Sequence, residues 1–185
     1  MASILTHAFA AVAVTKTLSA EKRDWRFWTL IAGSAVLPDA DVIGFYFGIN
    51  YGDLLGHRGL SHSLLFAASW SLLVVLWEFR TASRGSKQWW ALVGLFFLAT
   101  ASHGVLDALT NGGLGVAFFS PFDTTRYFFP WQPINVSPIS IGRFFSGRGA
   151  SVLVSEMIYV WLPLAVVWIC SRFLRANVPN KSRSG

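Results

Sequence analysis

Apolar residues in this chain gather into long blocks separated by short polar connections, a pattern that predicts helices rather than alternating strands. The blocks at 60–79, 89–109 and 152–174 each approach the roughly 20 residues a helix needs to cross ~30 Å of hydrocarbon. The block at 28–47 is as long, but Pro38-Asp39-Ala40-Asp41 interrupts it, and proline removes a helix donor and clashes with the preceding turn. Ile4–Leu18 would be only about 22 Å long as a helix at 1.5 Å per residue. It would tilt little, start below the membrane surface, or pack without fully spanning. Residues 111–150 are rich in Gly, Pro, Ser and aromatics without a sustained period, and predict a long loop with short strands or interfacial turns. There is no internal repeat.

The expected fold is therefore an all-α, multi-pass transmembrane bundle of about five helices. Residues 1–175 form the membrane-embedded domain, 111–150 its non-cytoplasmic loop, and 176–185 a basic cytoplasmic tail. The first residues lack a basic stretch, and His7 lies inside the apolar segment, so they do not read as a cleavable signal peptide.

Composition agrees. Charged residues make up 13%, where a soluble domain carries about 25%. Nine Trp and sixteen Phe suit aromatic belts at membrane interfaces. The net charge of +6 does not imply nucleic acid, because no basic stripe interleaves with exposed aromatics. Eleven of the fifteen basic residues fall on one side of a five-helix weave: Lys16, Lys22, Arg23, Arg26, Arg80, Arg84, Lys87, Arg172, Arg175, Lys181 and Arg183. Only Arg58, Arg126, Arg143 and Arg148 lie on the other side. This asymmetry predicts an outer N-terminus and a cytoplasmic C-terminus. The lone Cys170 excludes a disulfide framework and a thiolate site, so any metal must be held by nitrogen and oxygen.

The topology, drawn from Lys and Arg alone, brings all four histidines (His7, His57, His62 and His103) to the outer membrane level together with Asp39, Asp41 and Asp107. His103 and Asp107, four apart, share one helical face about 6 Å apart. That suits two ligands on one ion, or a carboxylate steadying a ligand imidazole. The alternative is a hydrogen-bonded pair between helices, though ionisable groups inside a span usually mark function. His57 and His62 converge if one precedes the helix and the other opens it, with Ser61 or Ser63 as a cap. No serine sits in a strand-turn-helix elbow, which disfavours a serine hydrolase. Arg58 offers a planar fork for a phosphate or carboxylate, or an anchor for lipid headgroups. Asp39 and Asp41 within one turn are costly at this depth unless a cation meets them, though one of them could instead cap the next segment. Glu156, the only acid of the last helix, is a candidate ligand or general base.

The expected metal ligands are thus His7, Asp39, Asp41, His57, His62, His103 and Asp107, with Arg58, Asp41 and Glu156 as catalytic candidates. A nitrogen and oxygen set suits zinc first, with manganese or iron as alternatives. Seven candidates exceed the three protein ligands of a mononuclear catalytic zinc, so one to three divalent ions are expected. The expected chemistry is ester hydrolysis by a metal-activated water on a membrane lipid or another envelope phosphoester.

Thr6-His7, Pro38-Asp39-Ala40-Asp41, His57-Arg58-Gly59-Leu60-Ser61-His62-Ser63 and Ser102-His103-Gly104-Val105-Leu106-Asp107-Ala108-Leu109-Thr110 resemble the YdjM-like family of inner-membrane metal-dependent hydrolases. The resemblance covers about the first 110 residues. It implies a bacterial inner-membrane helical hydrolase. The family is described as LexA-regulated, a promoter property that ties it to the SOS response. It is distantly similar to zinc phospholipase C and P1-type nucleases, whose helical sites also use a His-x-x-x-Asp pair. That implies that His103 and Asp107 share a metal and that the substrate is a phosphoester. Two rivals use the same residues: a metal transporter or sensor, and a structural protein in which His-Asp pairs only tie helices. Transport needs polar groups continuing inward, and 64–79 and 90–99 offer almost none.

Overall fold

The computed structural model describes residues 1–139, 142 and 144–177. Most of the expected basic tail, 178–185, lies outside the described residues, as does Arg143. Five helices account for the apolar blocks: α1 Ile4–Leu18, α2 Trp25–Val36, α3 Leu64–Glu78, α4 Lys87–Ala108 and α5 Gly149–Ala176. Among the described residues there is no strand. Two isolated bridges, Thr110 with Ile134 and Val116 with Tyr127, pin the loop between α4 and α5.

Helix starts follow local chemistry. Ser3, Asp24, Ser63 and Ser86 cap α1 to α4, each side chain accepting an amide of the first turn. Ser63 is thus the cap of the His-Ser motif, and Ser61 has a different task.

Three boundaries depart from expectation. Pro38 closes the α-helical run at Val36 without ending the rod. It occupies the first turn of a 3-10 segment, Leu37–Phe47, that continues α2 without a break. A missing N–H costs little in a first turn, and the segment stops at Gly48, in the left-handed region with φ 78°. Trp25–Phe47 is therefore one apolar rod of 23 residues. The block at 60–79 yields an α-helix of only 15 residues, because Leu60–His62 form a separate 3-10 turn. Both His57 and His62 thus precede α3. Finally, α5 begins at Gly149 and runs 28 residues, with a π-helical turn at Met157–Trp161 just before Pro163, which has no amide to donate. The rod Trp25–Phe47, α4 and α5 are long and apolar enough to cross a membrane, while α1 and α3 are apolar but shorter.

α4 is the central helix, with eleven of its 22 residues buried. Small residues Ala11, Ala35 and Ala99 let α1, α2 and α4 approach closely, around Phe27, Ile31 and Phe96. By contrast, no residue of 162–176 is buried, as suits a helix face turned to lipid. The chain order puts the ends of α1, α3 and α5 beside the starts of α2 and α4. There Lys16 sits over Trp28 and Trp168, and Arg26 pairs with Glu78. The histidines lie at the opposite end.

Candidate metal centre

His103 and Asp107 come from the last turns of α4, Asp39 from the first turn of the 3-10 segment, and His62 from the turn before α3. Each offers one ligand atom, and these atoms lie within 4.8 Å of one another. His62 Nε2 is 3.0 Å from His103 Nε2. Asp39 Oδ1 is 3.2 Å from His103 Nε2 and 3.7 Å from His62 Nε2. Asp107 Oδ2 is 3.7 Å from His62 Nε2 and 4.0 Å from His103 Nε2. Ligand bonds of 2.0–2.1 Å around a tetrahedral ion put neighbouring donors about 3.3 Å apart, and the spacings of 3.0–4.0 Å bracket that value.

The tautomers point the same way. His103 Nδ1 lies 2.7 Å from the carbonyl of Ala35, so it carries the hydrogen and leaves the Nε2 lone pair facing the cluster. Ser61 donates its hydroxyl to Asp41 Oδ2 at 2.6 Å. Its oxygen is then free to accept from His62 Nδ1 at 2.9 Å, with Asp41 Oδ2 at 3.2 Å from the same nitrogen. With both rings neutral the two Nε2 lone pairs face each other, an arrangement relieved by a cation between them or by a proton on one ring. Asp39 Oδ1 and Oδ2 are buried without a hydrogen bond among the described residues, while Asp107 Oδ2 is paired with Arg58 Nε at 2.9 Å. Unmatched buried carboxylate oxygens are costly, and a divalent cation offsets that cost. The residues fit a metal.

Asp41 belongs to a second layer. It accepts from His57 Nδ1 at 2.8 Å, from the Arg58 amide at 3.2 Å and from Ser61. With His57 and His62 it makes a second group of metal-competent side chains, but through His62 Nδ1 it acts as the carboxylate behind a ligand imidazole. His57 keeps a buried Nε2 without a partner among the described residues. Tyr51 packs edge-on against its ring at 5.1 Å, and burial raises the Tyr51 phenol above its ordinary pKa. His7 stacks on His103, ring centroids 3.6 Å apart, and its Nε2 lies 3.4 Å from Asp107 Oδ1.

Two catalytic candidates have other occupations. Arg58 is fully buried, with φ 66°. Its Nε is 2.9 Å from Asp107 Oδ2, and its Nη atoms donate to the Gly112 carbonyl and Thr110 Oγ1. It neutralises a ligand and ties the loop to the centre, so its fork is turned to protein rather than substrate. Glu156 accepts the Ser3 amide, the Ser3 hydroxyl and the Thr6 hydroxyl. A carboxylate at a helix N-terminus is favoured by the helix dipole, so Glu156 fixes α1, which carries His7, and stands outside both metal-competent groups. Ser61, Thr110 and the Ser3–Thr6 pair were not assigned these tasks from sequence. Serine and threonine give no periodic signal, and only the folded neighbours reveal them. Gly113 is a further case: at φ 94° its Cβ would come within 2.7 Å of Arg58 Nη1.

The family model for the YdjM inner membrane protein matches residues 1–178. The chain belongs to the YdjM inner membrane protein family. Inner membrane protein YbcI of Escherichia coli is 39% identical over 165 residues, covering 88% of this chain and 92% of that protein. No solved structure matches. The YdjM match extends through α5, well beyond the motifs that carried the resemblance.

Proposed function

We propose that this YdjM-family protein is a membrane-embedded, metal-dependent hydrolase of a phosphoester, either a lipid or another envelope component. The observation that carries the reading is the pair of Nε2 atoms of His62 and His103 facing each other at 3.0 Å, flanked by the unmatched oxygens of Asp39 and by Asp107. A bound divalent ion, zinc first among the candidates, supplies a Lewis acid and lowers the pKa of the water it holds.

The chain's own contribution is orientation and charge. His62, His103, Asp39 and Asp107 would hold the ion, either three of them or all four around a five-coordinate ion, with one position left to the water. Asp41 and Ser61 lock the His62 tautomer, and the Ala35 carbonyl locks that of His103. Arg58 balances one carboxylate, leaving the site able to accept a dication beside an anionic substrate. A second ion would use His7 and Asp107 Oδ1, or His57 on the far side of Asp41. The basic end of the bundle faces the cytoplasm by the positive-inside rule, which puts the metal centre on the periplasmic side.

Elemental analysis of the purified protein tests this directly, followed by assays against phospholipids and bis-p-nitrophenyl phosphate. Stoichiometric zinc or manganese and metal-dependent turnover are expected. Folded protein that takes up no metal from replete buffer sinks the reading.

A further inference from the structure

At the end opposite the metal centre, the α3–α4 connection encloses a cavity of about 330 Å³ lined by Val75, Leu76, Phe79, Arg80, Arg84 and Trp89. That volume falls in the range of small-ligand pockets, roughly 300–1,000 Å³. Its wall is apolar on the helix side and carries two guanidinium groups on the connection, with no acid among its lining residues. The adjacent Glu78 is paired with Arg26 at 3.2 Å. Arg80 lies over the Trp77 ring at 4.7 Å and donates its Nε to the Trp77 carbonyl. This holds the planar group in place with both Nη atoms still to be matched among the described hydrogen bonds. The N-terminus of α4, a helix of 22 residues, adds the positive end of its dipole.

Depth identifies the ligand. Trp25, Trp77 and Trp90 are 75%, 70% and 57% exposed at this same end, as tryptophans are at the headgroup level of a bilayer. A cavity there opens to phosphate groups at its basic rim and to acyl chains along its apolar wall. We propose that this cavity binds an anionic phospholipid, its phosphate gripped between Arg80 and Arg84 and a chain lying along Leu76 and Phe79. Guanidinium forks suit phosphate, and basic pockets between membrane helices recognise anionic headgroups. A choline headgroup would bring its own cation against the two arginines, so the site selects phosphatidylglycerol over phosphatidylcholine.

Native mass spectrometry of the full chain in mild detergent, titrated with each lipid, tests the assignment. Phosphatidylglycerol adducts are expected in preference to phosphatidylcholine. Arg80→Gln with Arg84→Gln is expected to weaken them about tenfold or more, the size of losing charge-assisted contacts. Arg84→Glu, a single reversal in an exposed connection, should do the same if the double variant is unstable. A charge-matched control, Lys22→Gln with Arg172→Gln, should leave retention unchanged, and so should excess inorganic phosphate. Equal binding of the two lipids, equal loss in the control, retention unaffected by the arginine variants, or displacement by inorganic phosphate would each overturn the proposal. None of these residues touches the metal centre, so the outcome is independent of the hydrolase reading.

Discussion

His103 presents Nε2 to His62 Nε2 at 3.0 Å because the Ala35 carbonyl holds its other nitrogen from behind. A helix residue, a 3-10 turn and a neighbouring helix's backbone thus combine to aim two lone pairs at one point. His103→Ala is expected to abolish metal content while leaving the helical circular dichroism intact. Wild-type metal content in that variant, measured by plasma mass spectrometry, would show that the pair holds no ion.

Ser61→Ala tests the layer behind. It removes the hydroxyl that links Asp41 to His62 but touches neither the backbone nor the ligand atom. Metal affinity should fall about 10- to 100-fold, the usual effect of losing an outer-shell partner. Competition with a chromophoric chelator measures it. Unchanged affinity would mean that Asp41 alone sets the tautomer.

Arg58→Met should destabilise the fold by about 3–5 kcal/mol, as expected when one partner of a buried ion pair is removed. Added zinc or manganese should recover part of the loss, because a dication supplies the countercharge that Asp107 has lost. Thermal denaturation with and without metal reads both effects. A variant as stable as wild type would mean that the guanidinium is not needed inside.

Glu156→Gln distinguishes an anchor from a catalytic group. It keeps the side-chain shape but replaces one acceptor oxygen by a donor facing Ser3 and Thr6. Stability should drop by about 1–3 kcal/mol for unsatisfied buried groups, with metal content retained. If metal is lost while stability holds, Glu156 belongs to the centre after all.

Removing metal from the wild type should lower its melting temperature. An ion present at 1,000 times its dissociation constant stabilises a fold by about 4 kcal/mol. Chelation followed by a thermal scan, and restoration by readded metal, checks this. A melting temperature indifferent to chelator would argue for a purely structural His-Asp network.

The helical blocks and the common level of the histidines were legible from hydropathy and from where Lys and Arg fall. Both depend on periodicity and charge, which a single sequence carries. The fate of Pro38 was not, because the same residue ends a helix or opens a 3-10 turn according to its packing. Nor was the split of six of the seven candidates into two metal-competent groups that share His62, with His7 in neither. His62 offers two nitrogens, and only its neighbours Ser61 and Asp41 decide which one faces inward. Arg58 and Glu156 looked catalytic because charge at depth suggests chemistry, whereas each closes a local charge balance with partners far away in sequence.

The passage from α2 into a 3-10 segment also changes how far that rod reaches. Twelve α-helical residues rise about 18 Å at 1.5 Å each, and eleven 3-10 residues add about 22 Å at 2.0 Å each. The total, about 40 Å, exceeds a hydrocarbon layer of ~30 Å. The rod must lean or emerge from the layer, and Tyr46 and Phe47 at its tip, 90% and 79% exposed, suit the headgroup level, with Asp39 about 16 Å further back along the rod at the same rise. Asp39, about 22 Å from the rod's other end by the same rises, therefore lies within the thickness of a hydrocarbon layer and well short of the rod's tip.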